Sequence, residues 1–104
     1  MNVITAATIK QASAQYPDAR TALEEWAAVV RGSTFGNFAE IRDTFAAASW
    51  IGPDWVIFNI RGGNYRLITR VNFQYRSFFV KEFLTHQEYN HWRPGLAPVM
   101  QSRG

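Results

Sequence analysis

The 104-residue sequence predicts an α+β domain, with N-terminal helices packed on one face of a small antiparallel sheet and a short C-terminal helix. Three observations point there. Apolar residues recur at helical spacing through the first half. They alternate at strand spacing from about residue 55. The change falls at Gly52-Pro53-Asp54, which is turn chemistry.

In chain order, residues 1–5 form a short apolar start, an edge strand or a lead-in. A helix follows over about 6–16 and is interrupted by Pro17, because proline cannot donate the next helical hydrogen bond. Leu23, Trp26, Ala27 and Val30 fall at i, i+3, i+4 and i+7, one apolar helix face, and Gly32 stands where a C-terminal cap belongs. Asn37 and Glu40 resemble a capping box, with Phe38, Ile41, Phe45 and Ala48 on one helical stripe beyond them.

The strands come next. Residues 55–60 are rich in β-formers, and Arg61-Gly62-Gly63-Asn64 reads as a turn because glycine and asparagine tolerate positive φ. From 65 to 73, Tyr65, Leu67, Thr69, Val71 and Phe73 share one side, and Arg66, Ile68, Arg70 and Asn72 the other. A turn near 74–77 leads to a third strand over 78–84. Thr85 then caps a last helix, with Glu88 closing the box and Pro94-Gly95 ending it. No repeat or linker divides the chain, so a single domain over residues 1–104 is expected, with the tail beyond about residue 95 loose.

A hydrophobic fraction of 47%, with 15% aromatic, supports a real core and excludes a disordered chain. Without cysteine there are no disulfides or thiolate metal sites, which suits a reducing cytoplasm. Neither a secretory signal nor an apolar run of membrane-spanning length is seen. Charge is unevenly divided. Up to Asp54, Lys10, Arg20, Arg31 and Arg42 face six acids, a net −2. From Trp55 onward seven basic residues face only Glu82 and Glu88, a net +5. Basic charge confined to one half points to an anionic ligand, nucleic acid foremost, with ordinary surface arginine as the simpler alternative.

Arg66 and Arg70 lie four apart on one strand face, with Ile68 between them, so two guanidiniums could grip phosphate there. Arg61 and Lys81 could join them from neighbouring strands. If Thr85 is a cap, His86 and Tyr89 share the first turn of the last helix, where unpaired N–H groups attract anions. A base for the ribose 2′-hydroxyl, cations for the crowded phosphate and an acid for the leaving oxygen are what RNA cleavage needs. The alternatives are a solvated arginine face, a surface histidine and a core tyrosine. His91 stands five residues after His86, on another helical face, so a two-histidine metal site is not expected. Trp50, Trp55 and Trp92 could stack bases, although core positions are favoured for Trp26 and Trp55.

The stretch Val56-Ile57-Phe58-Asn59-Ile60-Arg61-Gly62-Gly63-Asn64-Tyr65-Arg66-Leu67-Ile68 resembles the HigB-type toxins of type II toxin–antitoxin systems, as does Thr85-His86-Gln87-Glu88-Tyr89-Asn90. The Tyr16-Pro17 break between two helices also fits. The resemblance runs from the first helix to about Trp92. It implies a RelE-like microbial RNase fold and a cytoplasmic mRNA interferase that needs no metal or other cofactor and commonly acts on messenger in the ribosome. It also implies neutralisation by a helix-turn-helix antitoxin, with operator DNA bound only through the toxin–antitoxin complex, and no membrane partner. By the same resemblance Arg66 is the phosphate ligand, His86 an acid or base, and Tyr89 catalytic or stacked on a base. Arg61 and Lys81 carry over by basic character alone. Family members often have a basic residue where this chain has Asn64, which leaves Arg61 or Arg70 to supply that cation. A non-catalytic RNA- or ribosome-binding module, or a domain whose basic groove accepts an acidic or amphipathic peptide, would share the same basic face.

Overall fold

The computed structural model describes residues 1–94. The expected loose tail lies outside the described residues. Strand β1 (Asn2–Ile4) leads to α1 (Ala6–Gln15), a 3-10 turn (Pro17–Ala19), α2 (Arg20–Arg31) and α3 (Phe38–Thr44). The sheet continues with β2 (Ser49–Ile51), β3 (Trp55–Ile60), β4 (Tyr65–Asn72) and β5 (Ser77–Thr85), and α4 (His86–Tyr89) follows directly.

The class is α+β as expected, but the sheet is larger and mixed. Five strands stand in the order β1-β5-β4-β3-β2. The first is parallel to β5, pairing Asn2, Val3 and Ile4 with Ser77, Phe78 and Phe79. The antiparallel meander β3-β4-β5 forms the centre. Strand β2 had no legible signal, being three residues long between the end of a helical stripe at Ala48 and the turn at Gly52. That stripe is also corrected. Helix α3 stops at Thr44, and the Phe45 N–H still reaches Ile41 O at 2.8 Å. Ala48 remains buried from an irregular segment rather than a helix.

The main core lies between the helices and one sheet face. Leu23, Trp26, Ala27 and Val30 of α2 are all buried, the face the spacing called for. The Trp26 ring meets Phe58 at 5.2 Å and Phe78 at 6.0 Å, both edge-on, a favoured aromatic geometry. Leu67, Val71 and Val80 complete this face. A second, smaller cluster lies across the sheet. It consists of Ile57, Ile68, Leu84 and Trp92, with Ile51, Trp55 and Tyr89 packed against it. Trp55, favoured for the core by composition, belongs to this second face.

The β3–β4 turn departs from expectation in one detail. Positive φ falls on Arg61 (54°), Gly62 (64°) and Gly63 (92°), not on Asn64. A non-glycine residue in the left-handed region costs roughly 1–2 kcal/mol, so tertiary contacts must hold Arg61 there.

Candidate active site

The face of the sheet away from α1–α3 is organised by register. Three rows cross β3, β4 and β5: Asn59–Arg66–Leu84, Ile57–Ile68–Glu82 and Trp55–Arg70–Phe79. Residues directly opposite share a side, so Arg66 and Arg70 stand at the two ends of one surface with apolar Ile68 between them.

At the Arg66 end, the guanidinium bends back over its own turn. Its Nη1 donates to the Gly63 carbonyl and, at 3.4 Å, to that of Tyr65. Glycine suits position 63 because its φ of +92° would strain any L side chain. The guanidinium carbon lies 5.3 Å from the centre of the Tyr89 ring, within cation–π range. Among the described residues Arg66 forms no ion pair.

Helix α4 reaches this end because β5 runs into it without a loop. Tyr65 pairs with Thr85 and Arg66 with Leu84, and the His86 N–H donates to Asn64 O at 3.0 Å. The capping box is present in both directions. Thr85 Oγ1 accepts from the Glu88 N–H at 3.2 Å, and Glu88 Oε1 accepts from the Thr85 N–H at 3.0 Å. His86 is exposed and Tyr89 half-buried. The structure thus brings Arg66 against the Tyr89 ring, and His86 opens the same short helix three residues before Tyr89. Two of the N–H groups expected to draw an anion here are already taken, that of His86 by Asn64 O and that of Glu88 by Thr85 Oγ1.

The other three cations differ. Arg70 donates from Nε and Nη2 to Asp54 Oδ1, at 2.9 and 2.7 Å, and lies 4.9 Å over the Trp55 ring. Arg61 Nη1 meets Asp18 Oδ2 at 3.2 Å, drawn towards the 3-10 turn of the helical layer and away from the Arg66 face. That contact also secures the strained turn. Lys81 falls at the register shift of β5, between partners Val80 and Glu82, with Nζ 6.0 Å from the Phe79 ring. Neither arginine named as a substitute for the missing basic residue at 64 is therefore uncommitted.

Asp18 also accepts from the Tyr65 hydroxyl at 2.9 Å. Partial burial first, then this hydrogen bond and the carboxylate charge, raise the Tyr65 phenol above its usual range, with Arg61 opposing. Sequence reasoning missed Glu82 and Gly63 and gave Trp92 no structural place. The pairing of Glu82 with Ile68 through the bulge has no local signature. Among the described residues no three His, Cys, Asp or Glu side chains group as metal ligands, and no helix is long and apolar enough to cross a membrane.

Residues 19–92, which hold this geometry apart from Asp18, match the HigB toxin model, described as the RelE-like toxic component of a toxin–antitoxin system. The chain belongs to the HigB toxin family. An mRNA interferase HigB of Escherichia coli O6:H1 is 28% identical over 92 residues, covering 86% of this chain and 89% of that protein. The mRNA interferase toxin HigB of Escherichia coli K12 and an mRNA interferase HigB of Shigella flexneri are each 25% identical over 93 residues, covering 86% of this chain and 88% of theirs. The resemblance carried by the two motifs is thus shown. As a HigB-family toxin the chain implies an antitoxin partner, and its matched span contains Arg66, His86 and Tyr89.

Proposed function

We propose that this chain is an endoribonuclease that cleaves messenger RNA, and that Arg66, His86 and Tyr89 are its catalytic residues. One observation carries the reading: a guanidinium that has no carboxylate partner among the described residues lies over the Tyr89 phenol ring, beside the helix turn that bears His86. In the reaction the ribose 2′-oxygen bonds to the adjacent phosphorus, and the bond from phosphorus to the 5′-oxygen breaks. The products are a 2′,3′-cyclic phosphate and a free 5′-hydroxyl. Arg66 steadies the charge on the phosphoryl oxygens. His86 and Tyr89 divide the two proton transfers, one from the 2′-hydroxyl and one to the leaving oxygen. Atoms balance without a metal or other cofactor. Arg61, Arg70 and Lys81 serve as outer phosphate contacts, with Arg61 and Arg70 first having to part from their carboxylates.

The net +5 charge after Asp54 and the mRNA interferase activity for which the relatives are named support RNA as substrate. The same reading makes the whole chain one toxin domain acting in the cytoplasm on ribosome-associated messenger. Its antitoxin would be a helix-turn-helix protein through which alone the pair contacts operator DNA. The test is expression in a bacterium of the parent chain, Arg66→Ala and His86→Ala, with messenger followed on gels. Growth arrest and messenger loss are expected from the parent only, and relieved by the cognate antitoxin. Equal arrest by both variants sinks the site assignment. Salt-dependent RNA binding without cleavage, ribosomes included, would show a binding module instead.

A further inference from the structure

We propose that Trp92 is a positioning residue for this site, acting through the Tyr89 ring; the proposal rests on the nuclease reading of Arg66 and Tyr89. Helix α4 is four residues long and buries none of them. A helix that short has no stability of its own. Its first turn is tied down by the capping box and the contact from His86 N–H to Asn64 O. At the far end the Asn90 N–H donates to His86 O at 3.3 Å and Gln87 O at 3.2 Å, and these backbone bonds do not fix the Tyr89 ring.

Trp92 supplies that hold. Its ring stacks on Tyr89, centres 6.0 Å apart and planes 19° apart. Its backbone N–H returns to Tyr89 O at 3.0 Å. The indole is anchored to the sheet twice. Its Nε1–H donates to Glu82 Oε2 on β5 at 3.1 Å, and the ring meets Trp55 on β3 at 5.4 Å with planes 72° apart. Trp92 is 9% exposed, the most enclosed residue of the closing segment. A continuous path of contacts therefore runs from the sheet through Trp92 and Tyr89 to the Arg66 guanidinium. Removing the indole takes away the ring on which Tyr89 stacks, leaving it only its packing against the aliphatic part of the cluster, so the ring shifts under Arg66. Small displacements of reacting groups are costly, about 100-fold in rate for roughly 1 Å.

The purified full chain is tested as Trp92→Ala, Tyr89→Ala and the double variant, in single-turnover cleavage of RNA. Trp92→Ala is expected to lower kcat by about 100-fold with KM nearly unchanged, and to add nothing once Tyr89 is alanine. Losses that multiply in the double variant, or cleavage by Trp92→Ala at the parental rate, overturn the proposal. If Trp92→Ala fails to fold, Trp92→Phe replaces it. It keeps a ring but loses the bond to Glu82, and is expected to lose about tenfold, again only when Tyr89 is present. A second measurement is independent of cleavage. The Arg66 Nε–H resonance should carry a ring-current shift that disappears in both Tyr89→Ala and the Trp92 variant. If it persists without Trp92, the positioning role is wrong. A parent that cleaves no RNA refutes the nuclease reading, and the resonance still decides the role of Trp92.

Discussion

Arg66 and Arg70 occupy opposite ends of one strand face, and each guanidinium lies over an aromatic ring, at 5.3 Å from Tyr89 and 4.9 Å from Trp55. Their partners set them apart. Arg70 is neutralised by Asp54, so its charge is spent within the fold. Among the described residues Arg66 meets neutral carbonyls and its ring and no carboxylate, so its charge is not offset there. Alike in sequence and in side, the two differ because one acid stands at the β2–β3 turn and none stands at the β3–β4 turn beside Arg66. A cation pattern on a strand shows where charge can be; the neighbouring carboxylates show which charge remains available.

The largest contrast should be in turnover. Arg66→Ala is expected to lower RNA cleavage by about 10²–10³-fold, the usual loss for one donor to developing charge. Arg70→Ala should cost less than about tenfold (roughly 1.4 kcal/mol). Single-turnover rates on one RNA compare them, and equal losses would remove the distinction. Tyr89→Phe separates ring from phenol. If the hydroxyl moves a proton, this variant falls by about 10²-fold or more while retaining RNA affinity.

Freeing Arg70 tests the comparison from the other side. Asp54→Asn should strengthen RNA binding at low salt. The plot of log K against log salt should steepen by about 0.7 for one added phosphate contact. An unchanged slope would show that Arg70 does not meet RNA even when released. In stability, Arg70→Ala should cost at most about 1 kcal/mol in urea unfolding, because the pair is partly exposed.

The smallest effect concerns alkaline pH. The Tyr65 phenol is raised in the folded chain, chiefly by partial burial and then by Asp18. The folded state thus holds this proton to higher pH than the unfolded chain does. Stability from this group is complete below about pH 10 and lost as pH rises through the folded value. Tyr65→Phe should remove that portion of the alkaline fall in unfolding midpoint, and an unchanged profile would argue against it.

Much of the local structure was legible in the residues. The α2 face, the alternation of β4, the places of the two hairpin turns (though not which residues of the first take positive φ) and the Thr85–Glu88 box stand as read, because each depends on residues a few positions apart. Those rules also brought Arg66, His86 and Tyr89 into consideration together. The boundary after α3 was misread because Ala48 is buried and Phe45 partly buried from irregular chain, and apolar spacing reports burial whether or not the helix continues.

By itself, then, the sequence determined the order of helices and strands, the sidedness of the central strand and the capped start of α4. Tertiary structure alone decided that β1 lies parallel beside β5, and that Asp18 reaches a hydroxyl 47 residues away on Tyr65 together with Arg61. It also decided that Arg70 is paired and that Trp92 closes over Tyr89. Backbone geometry and side-chain periodicity are properties of neighbours in the chain. Ion pairing and ring stacking depend on distances that exist only after remote segments have packed.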